Sequence, residues 1–483
     1  MAKARFDLVA TARSEMVRHG FQPDFPEGVQ AQVRALGEVT SHVDLASQAI
    51  DLRNRPWSSI DNSSSTDLDQ IEVAERVTDG IRLQIAIADV DSVVHPDSAI
   101  DVYASAEATS VYVPGHVFPM LPDELSSGIT SLRPGHDRLA VVIDYVVNTQ
   151  GQTLHSDVYR ALVRNQAQLS YGRTGSWLEG RNAVPDAIRD SVEMQEQIKL
   201  QDEAAVLLRS ARQRAGALQF DRVEAVPVLD DGQVVRIEAR GKNRATQLIE
   251  ELMIAANEAI AILLKDVPSI QRVVRSPERW PRIVQLAAGY GYQLPEQADA
   301  GALAGFLREQ NEAHPGRYAD LSLSVLKLMG PGEYVVLPPG ETGLGHFGLA
   351  TNDYTHSTAP NRRFADVVTQ RLVKAFLAKT ASPYGLENLQ SIARNCTFKE
   401  DAARKVERTV QKCAAAFALK RRVGQSFRGI VTGVTPNGVF VRVPDPPIEG
   451  RLMRGERGLD VGDRIRVTLL SVDPEKGFID FGR

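Results

Sequence analysis

Cysteine is nearly absent from this chain: Cys396 and Cys413 are the only two in 483 residues. That excludes a disulfide framework, a disulfide-linked partner and a zinc site built on thiolates, and it fits a reducing, cytoplasmic setting. Long apolar runs are missing too. None approaches the roughly 20 residues of a membrane span, which argues against a membrane partner. The first residues, Met1-Ala2-Lys3-Ala4-Arg5-Phe6-Asp7, lack the apolar core of a signal peptide. Nor does charge of one sign dominate. With 56 Lys and Arg against 61 Asp and Glu, the net charge of −5 gives no pull toward a polyanion, so any such binding must come from local basic patches. What remains is the composition of a soluble globular protein, 43% hydrophobic and 24% charged. The length suits two to four domains.

Against this background one polar segment stands out: Ser58-Ser59-Ile60-Asp61-Asn62-Ser63-Ser64-Ser65-Thr66-Asp67-Leu68-Asp69-Gln70. Three carboxylates crowd into a Ser-rich stretch, where like charges repel. Oxygen-only donors on a short loop suit a hard cation, Mg²⁺ or alternatively Mn²⁺. If the segment is extended, Asp67 and Asp69 share one side and Gln70 takes the other. A solvated turn with Asx and Ser caps is the plain alternative. The loop leads into two alternating runs. Ile71, Val73 and Val77 alternate with Glu72 and Arg76, then Ile81, Leu83, Ile85 and Ile87 with Arg82 and Gln84. Asp79-Gly80 between them is a two-residue turn signal, so we expect a β-hairpin with one buried face.

The rest of the chain divides by pattern. Leu8, Val9, Ala12, Met16 and Val17 form a helical stripe that Gly20 would stop; Val29, Val33 and Leu36 form a second, with Gly37 following. Residues 1–50 therefore read as a small helical module, either a helix-turn-helix or a plain packing element. Residues 50–165 are mostly strand and turn, with Val141 to Val147 a buried strand. Helices are expected over 190–214, Thr246–Lys265, Ala365–Lys379 and Glu400–Arg422. Beyond Val423 come short β-rich runs broken by Gly and Pro, which suit a small closed barrel.

Several blocks then line up in a recognisable order. After the acidic loop come Ser110-Val111-Tyr112-Val113-Pro114, Pro119-Met120-Leu121-Pro122, Gly216-Ala217-Leu218-Gln219-Phe220-Asp221, Ile249-Glu250-Glu251-Leu252-Met253, and the stretch from Gly345-His346-Phe347-Gly348 to Pro360-Asn361-Arg362-Arg363. Together these resemble the ribonuclease II family, exoribonucleases with an RNB catalytic domain. The tail resembles the S-one type of OB-fold RNA-binding domain. The resemblance implies an α+β multidomain architecture: a helical module over 1–50, an RNB catalytic domain over 51–422 and an OB-fold β-barrel over 423–483. It implies a monomeric, Mg²⁺-dependent, processive 3′→5′ exoribonuclease that hydrolyses single-stranded RNA to nucleoside 5′-monophosphates. Family members commonly carry two cold-shock domains before the acidic loop; Asp61 lies too early for them, so a more open RNA entrance is expected.

The resemblance also assigns residues. Asp61, Asp67 and Asp69 match three of four metal-site aspartates, and Gln70 stands at the fourth, bringing an amide oxygen without its charge. Phosphodiester hydrolysis needs an activated water and charge stabilisation at the phosphate, which a divalent ion supplies. Arg362 matches the arginine on the reacting phosphate, against the plain reading of a helix-start Arg paired with Asp366. Arg363 is a candidate for backbone contact. Tyr171 and Phe220 match two aromatics that clamp the stacked bases, against core packing. Glu250 matches a residue near the RNA that could read the 2′-hydroxyl, and Glu407 an acidic residue of a late helix. The late block departs from the pattern at Ser357, Ala359 and Asn361. A basic run, Arg404, Lys405, Arg408, Lys412, Lys420, Arg421, Arg422 and Arg428, reads as a phosphate track or a solvated face. Phe427 and Phe440 are either stackers or core. Two rival readings stay open: a catalytically impaired RNA-binding regulator, motivated by Gln70, and a metal-dependent phosphohydrolase of small nucleotides.

Overall fold

Residues of alternating polarity build a seven-stranded mixed sheet, and its strand order decides where the acidic loop lies. The computed structural model describes residues 6–39, 49–221, 224–230 and 232–483; residues 1–5 and 40–48 of the expected N-terminal module lie outside the described residues. The strands are β1 (Ile50–Asp51), β2 (Ser58–Asp61), β3 (Gln70–Val77) and β4 (Gly80–Ala88). A small hairpin, β5 (Val111–Val113) and β6 (His116–Phe118), precedes β7 (Asp137–Val147), β8 (Thr153–Arg164) and β9 (Ala167–Ser170). The sheet order is β1-β8-β7-β4-β3-β2-β9. β2 runs parallel to β9 with Asp61 opposite Ser170. The chain therefore leaves β9 beside the acidic loop.

The expected hairpin forms, with two corrections. Its turn is Thr78-Asp79, and Gly80 opens β4 opposite Val77 at φ +148°. A side chain there would meet the Val147 carbonyl oxygen at 2.1 Å. The second correction concerns Glu72, which the alternation puts on a solvent face. In the structure it is fully buried, because the face it shares with Gln70 is covered by helices from later in the chain.

The helices are placed by caps and polar ties. In chain order they are α1 (Leu8–Arg18), α2 (Glu27–Val39), α3 (Ala99–Glu107), α4 (Tyr171–Leu178), α5 (Val192–Arg214) and α6 (Arg244–Leu263). On α5, Gln197 accepts from the Ala74 N–H and donates to the Ser58 hydroxyl, while Gln201 donates to the Glu72 carbonyl. Such side-chain bonds to strand backbone fix a helix on a sheet more specifically than apolar packing alone. Asn243 caps α6 in a capping box with Thr246 and also donates to the Tyr171 carbonyl at 2.9 Å. The second N-terminal helix runs on through Gly37 rather than stopping there.

A two-stranded arm, β10 (Glu224–Asp230) and β11 (Gln233–Arg240), stands beside the cleft described below. Helices α7 (Trp280–Gly289), α8 (Ala300–Ala313) and α9 (Pro315–Leu328) enclose a separate small core around Trp280 and Phe306. Strands β12 (Ser269–Val273) and β13 (Glu333–Leu337) pair across them. Then come α10 (Phe364–Leu377) and α11 (Leu386–Leu419), the latter beginning well before the expected Glu400. Five strands, β14 (Ser426–Thr435), β15 (Gly438–Val443), β16 (Ile448–Arg454), β17 (Arg464–Asp473) and β18 (Phe478–Gly482), close the C-terminal barrel. Phe427 is buried against Phe481 inside it and belongs to the core; Phe440 stays partly exposed. The N-terminal helices join different cores. Residues of α1 cluster with α11 and the barrel, with Phe6 stacked on Phe417 at 5.4 Å, while Val29 of α2 joins the main sheet core.

Candidate active site

The acidic loop bridges β2 and β3, and the fold turns each of its carboxylates toward a different partner. Asp61 ends β2; its Oδ1 accepts from the Asn62 N–H at 2.6 Å and the Ser65 hydroxyl at 2.9 Å. Burial raises its carboxyl above the usual range. Asp67 Oδ2 accepts from the Tyr112 hydroxyl at 2.9 Å. Burial, together with the neighbouring Asp67 and Asp69, pushes that phenol up, so it stays protonated and donates. Asp69 is buried. Its Oδ1 accepts from the Asn361 N–H at 2.9 Å and its Oδ2 from Arg362 Nε at 3.0 Å. Burial, only partly offset by Arg362, pushes Asp69 up to about 6. Gln70 opens β3 opposite Ile87, with its side chain buried.

Arg362 thus pairs with Asp69 across the fold, and the plain pairing with Asp366 falls to its neighbour: Arg363 Nη2 donates to Asp366 at 2.7 Å. The tether to Asp69 uses Arg362 Nε alone. Its side chain is 44% exposed, and its two Nη groups make no protein hydrogen bond among the described residues. A guanidinium held this way keeps a forked pair of donors for an anion. The late block is held from outside as well. The Arg362 carbonyl accepts from the Ser110 N–H, and Asn361 Oδ1 accepts from the Thr130 hydroxyl at 2.6 Å. Ser357 donates through both its N–H and its hydroxyl to Asn257. The departures at Ser357 and Asn361 are therefore absorbed into buried hydrogen bonds.

A cleft of about 1260 Å³ opens beside this cluster. Asn62 and Tyr112 line it next to the carboxylates, Tyr171 and Asn243 line another wall, and Glu407 and Arg442 face it from α11 and the barrel. Tyr171 is the first residue of α4 and is half-buried on the main core. Glu407 Oε1 accepts from the Tyr112 N–H at 2.9 Å, so it braces the strand that carries the Asp67 partner. Of the expected residues only Tyr171 and Glu407 are in the cleft lining; Asp61, Asp67, Asp69, Gln70 and Arg362 are not in it, although Asn62 and the Asp67 partner Tyr112 are. The other three expected residues sit outside it as well. Phe220 packs on the core of α7, α8 and α9, although Asp221 beside it does line the cleft. Glu250 lies one turn beyond the cleft-lining Thr246 and is paired with Lys242 at 2.6 Å. Arg363 is turned to Asp366. Sequence reasoning missed Tyr112 as a functional residue. The signal was its phenol inside the otherwise apolar Val111-Tyr112-Val113 block.

The donor chemistry fits a hard divalent cation: three carboxylates and one amide, all oxygen, with Asp61 and Asp69 desolvated. Glu72, two residues into β3, also has two buried carboxyl oxygens without a hydrogen-bond partner among the described residues, but it is not part of this donor set. Among the described residues no three His, Cys, Asp or Glu side chains converge into a ready cage. The reason is visible in the partners: Asp69 is turned to Asn361 and Arg362, and Asp67 to Tyr112.

Residues 49–379 match the RNB domain, and residues 425–483 match the RNase II-type exonuclease C-terminal S1 domain. The chain belongs to the RNB family. Among curated relatives, Ribonuclease R 1 of Lactococcus lactis is 29% identical over 95% of this chain and 59% of its own length. Ribonuclease R of Thermotoga maritima is 31% identical over 97% of this chain and 69% of its own. The chain thus spans about 59% of the first of these relatives. In fold, the RNB domain and barrel superpose on Mycoplasma genitalium RNase R with a TM-score of 0.88, covering 99% of this chain and 78% of that one at 23% identity. No helix among the described residues is long and apolar enough to cross a membrane.

Proposed function

We propose that this protein is a processive 3′→5′ exoribonuclease that hydrolyses single-stranded RNA to nucleoside 5′-monophosphates. The single observation that carries the reading is Arg362. Asp69 holds its Nε at 3.0 Å and leaves both Nη groups for a phosphate, within the same cluster as Asp61 and Asp67. Membership of the RNB family supports it, as does the fold likeness to an RNase R solved with ribose-methylated single-stranded RNA. We further propose divisions at about residue 50 and residue 423.

In this reading Asp61, Asp67, Asp69 and Gln70 hold a divalent cation, Mg²⁺ or alternatively Mn²⁺. When bound, that ion supplies Lewis acidity at the scissile phosphate. The chain supplies the rest. Arg362 neutralises charge that builds on the phosphate oxygens, from a position fixed before substrate arrives. Tyr112 keeps the Asp67 carboxylate oriented, and Glu407 keeps Tyr112 in place. Tyr171 offers a face to a base beside Asp61. Such stacking contributes about 1–3 kcal/mol per base without reading sequence. Phe220, Glu250 and Arg363 are proposed to meet RNA farther from the carboxylates.

The outer path is proposed to run over the barrel. Arg428 and Arg466 are direct cross-strand partners on β14 and β17, with Arg464 and Arg442 nearby, and all four line a second groove against α9. Asp320 of α9 lines the same groove and faces Arg442 and Arg464 electrostatically, while Arg428 and Arg466 oppose each other as like charges, which a phosphate backbone would relieve.

The test is product identity. Incubating uniformly labelled RNA with the protein and Mg²⁺, then separating products by thin-layer chromatography, should give nucleoside 5′-monophosphates as the main labelled species. RNA that is bound on a native gel yet stays intact would instead favour the regulator reading that Gln70 motivates. Cleavage of dinucleotides alone would favour a small-nucleotide enzyme.

A further inference from the structure

The turn after α1 is tied into the same stretch of chain that holds Arg362. Glu107, the last residue of α3, is buried and divides its carboxylate between two donors. Its Oε2 accepts from the Gln22 N–H at 3.0 Å, and its Oε1 from Lys399 Nζ of α11 at 3.2 Å. Lys399 also donates to the Gly20 carbonyl at 2.7 Å and lies over the Phe21 ring at 4.4 Å. The Tyr103 hydroxyl of α3 donates to the Gln22 carbonyl at 2.7 Å. Gly20, Phe21 and Gln22 are therefore gripped by α3 and α11 together.

Beyond Glu107 the chain runs straight to the site. Ala108 sits at φ +59°, a left-handed conformation that costs a non-glycine residue free energy and persists only where its surroundings impose it. In that conformation its carbonyl accepts from the Phe364 N–H at 2.9 Å. The Thr109 hydroxyl donates to the Arg362 carbonyl at 3.2 Å, and the Ser110 N–H donates to the same oxygen at 3.0 Å. Ala108, Thr109 and Ser110 thus hold the backbone on either side of Arg363. Val111 and Val113, on the strand that carries Tyr112, share one apolar core with Leu8, Ala12, Met16 and Phe21.

An ion pair this deep is a poor way to gain stability. The side chains of Glu107 and Lys399 are each 8% exposed, and desolvating both charges takes back most of their attraction, so an apolar pair would pack as well. What the pair adds is direction. Its hydrogen bonds to Gln22 and Gly20 fix the end of α3 against the turn more narrowly than apolar packing does.

We propose that Glu107 and Lys399 are positioning residues for the reaction: by locking the turn at residues 20–22 to the end of α3 they fix the backbone of Arg362, and the N-terminal helix α1 is a brace of the active site rather than an RNA contact. The inference rests on the reading of Arg362 as the phosphate-binding group.

The test is a double-mutant cycle in the full chain, Glu107→Gln and Arg362→Ala alone and together, read as single-turnover rates over a range of enzyme concentrations on a labelled oligonucleotide. Gln keeps the side-chain volume but offers one acceptor where the two donors need two. We expect Glu107→Gln to lower the saturating rate about tenfold or more and to leave the half-saturating concentration within about twofold. Once Arg362 is already alanine, the same change should alter the rate by less than about twofold. Thermal unfolding is the fold control. Tyr103→Phe, which removes one hydrogen bond and keeps its ring on Phe25, is the milder second variant for the case in which Glu107→Gln unfolds at assay temperature. It should lower the rate about two- to fivefold, again only with Arg362 present. Equal losses with and without Arg362 would give these residues a general packing role and overturn the proposal. So would wild-type rates in both variants, or weaker binding at an unchanged saturating rate, which would make the module an RNA contact. Those results leave the role of Arg362 standing. A wild-type rate in Arg362→Ala itself would remove that role, and the proposal with it.

Discussion

At the scale of single residues, Arg362 carries the most weight. Its Nε tether to Asp69 fixes the guanidinium, and its free Nη pair is what a phosphate needs. Arg362→Ala should lower kcat on the order of 10²–10³-fold with a smaller change in KM, read from initial rates on a short oligonucleotide. Lysine should not rescue it, because an ammonium cannot hold Asp69 and present a planar fork at once. Tyr171→Ala should weaken binding of a short oligonucleotide roughly five- to hundredfold by fluorescence anisotropy, the loss of one stacked base. Much of this residue-level layout was legible in the sequence. The Asp61–Gln70 spacing and the Asn361-Arg362-Arg363 run fall together in space although nearly 300 positions separate them. What was not legible is which partner each side chain takes. That Arg362 holds Asp69 while Arg363 holds Asp366 depends on how the loop before α10 lies over the acidic loop. The burial of Glu72 escaped for a related reason. Alternation tells which residues share a face but not whether that face is covered, and the cover comes from α5, far along the chain.

Secondary-structure elements do the positioning. β9 delivers Tyr171 beside Asp61, Asn243 ties the start of α6 to the Tyr171 carbonyl, and the hairpin β3–β4 anchors the acidic loop in the sheet. Gly80 is the tightest point of that hairpin. Gly80→Ala forces a Cβ into the Val147 carbonyl, and calorimetry should show a loss of about 2–4 kcal/mol in stability. The turn signal located the hairpin correctly and missed its tip by one residue, because Asp-Gly reads equally as turn centre or turn exit. The extent of α11 was misjudged for another reason. Its first turns, Leu386 onward, are polar on most faces, and only packing of Leu389, Ala393 and Cys396 on the main core shows them to be helix.

Across the whole molecule, the barrel is joined to the RNB domain through α11 and through polar ties such as Lys327 of α9 to Glu449 of β16 at 3.1 Å. Burial pulls the Glu449 carboxyl up, but Lys327 and the Thr432 hydroxyl pull it further down, leaving it below the usual range. A depressed carboxylate stabilises the fold above its unfolded-state pKa and loses that contribution as pH falls through its folded one. The coupling between Lys327 and Glu449 in a double-mutant cycle should thus be present at pH 7, stay below about 1 kcal/mol since both groups are partly exposed, and fade as pH falls to below the usual carboxylate range. The barrel arginines act over a longer reach. Arg428→Gln with Arg466→Gln should weaken binding of long RNA, sparing short oligonucleotides, and reduce the salt slope of binding by about 0.7 per lost phosphate contact. The central claim, directional hydrolysis by the acidic cluster, is tested most directly by following a 5′-labelled single-stranded RNA on a sequencing gel, with Mg²⁺ or chelator, for wild type and Asp69→Asn. The account predicts that wild type with Mg²⁺ shortens the RNA progressively from its 3′ end to a short labelled product, and that chelator or Asp69→Asn abolishes this. Intact RNA at protein concentrations that shift it fully on a native gel would contradict it.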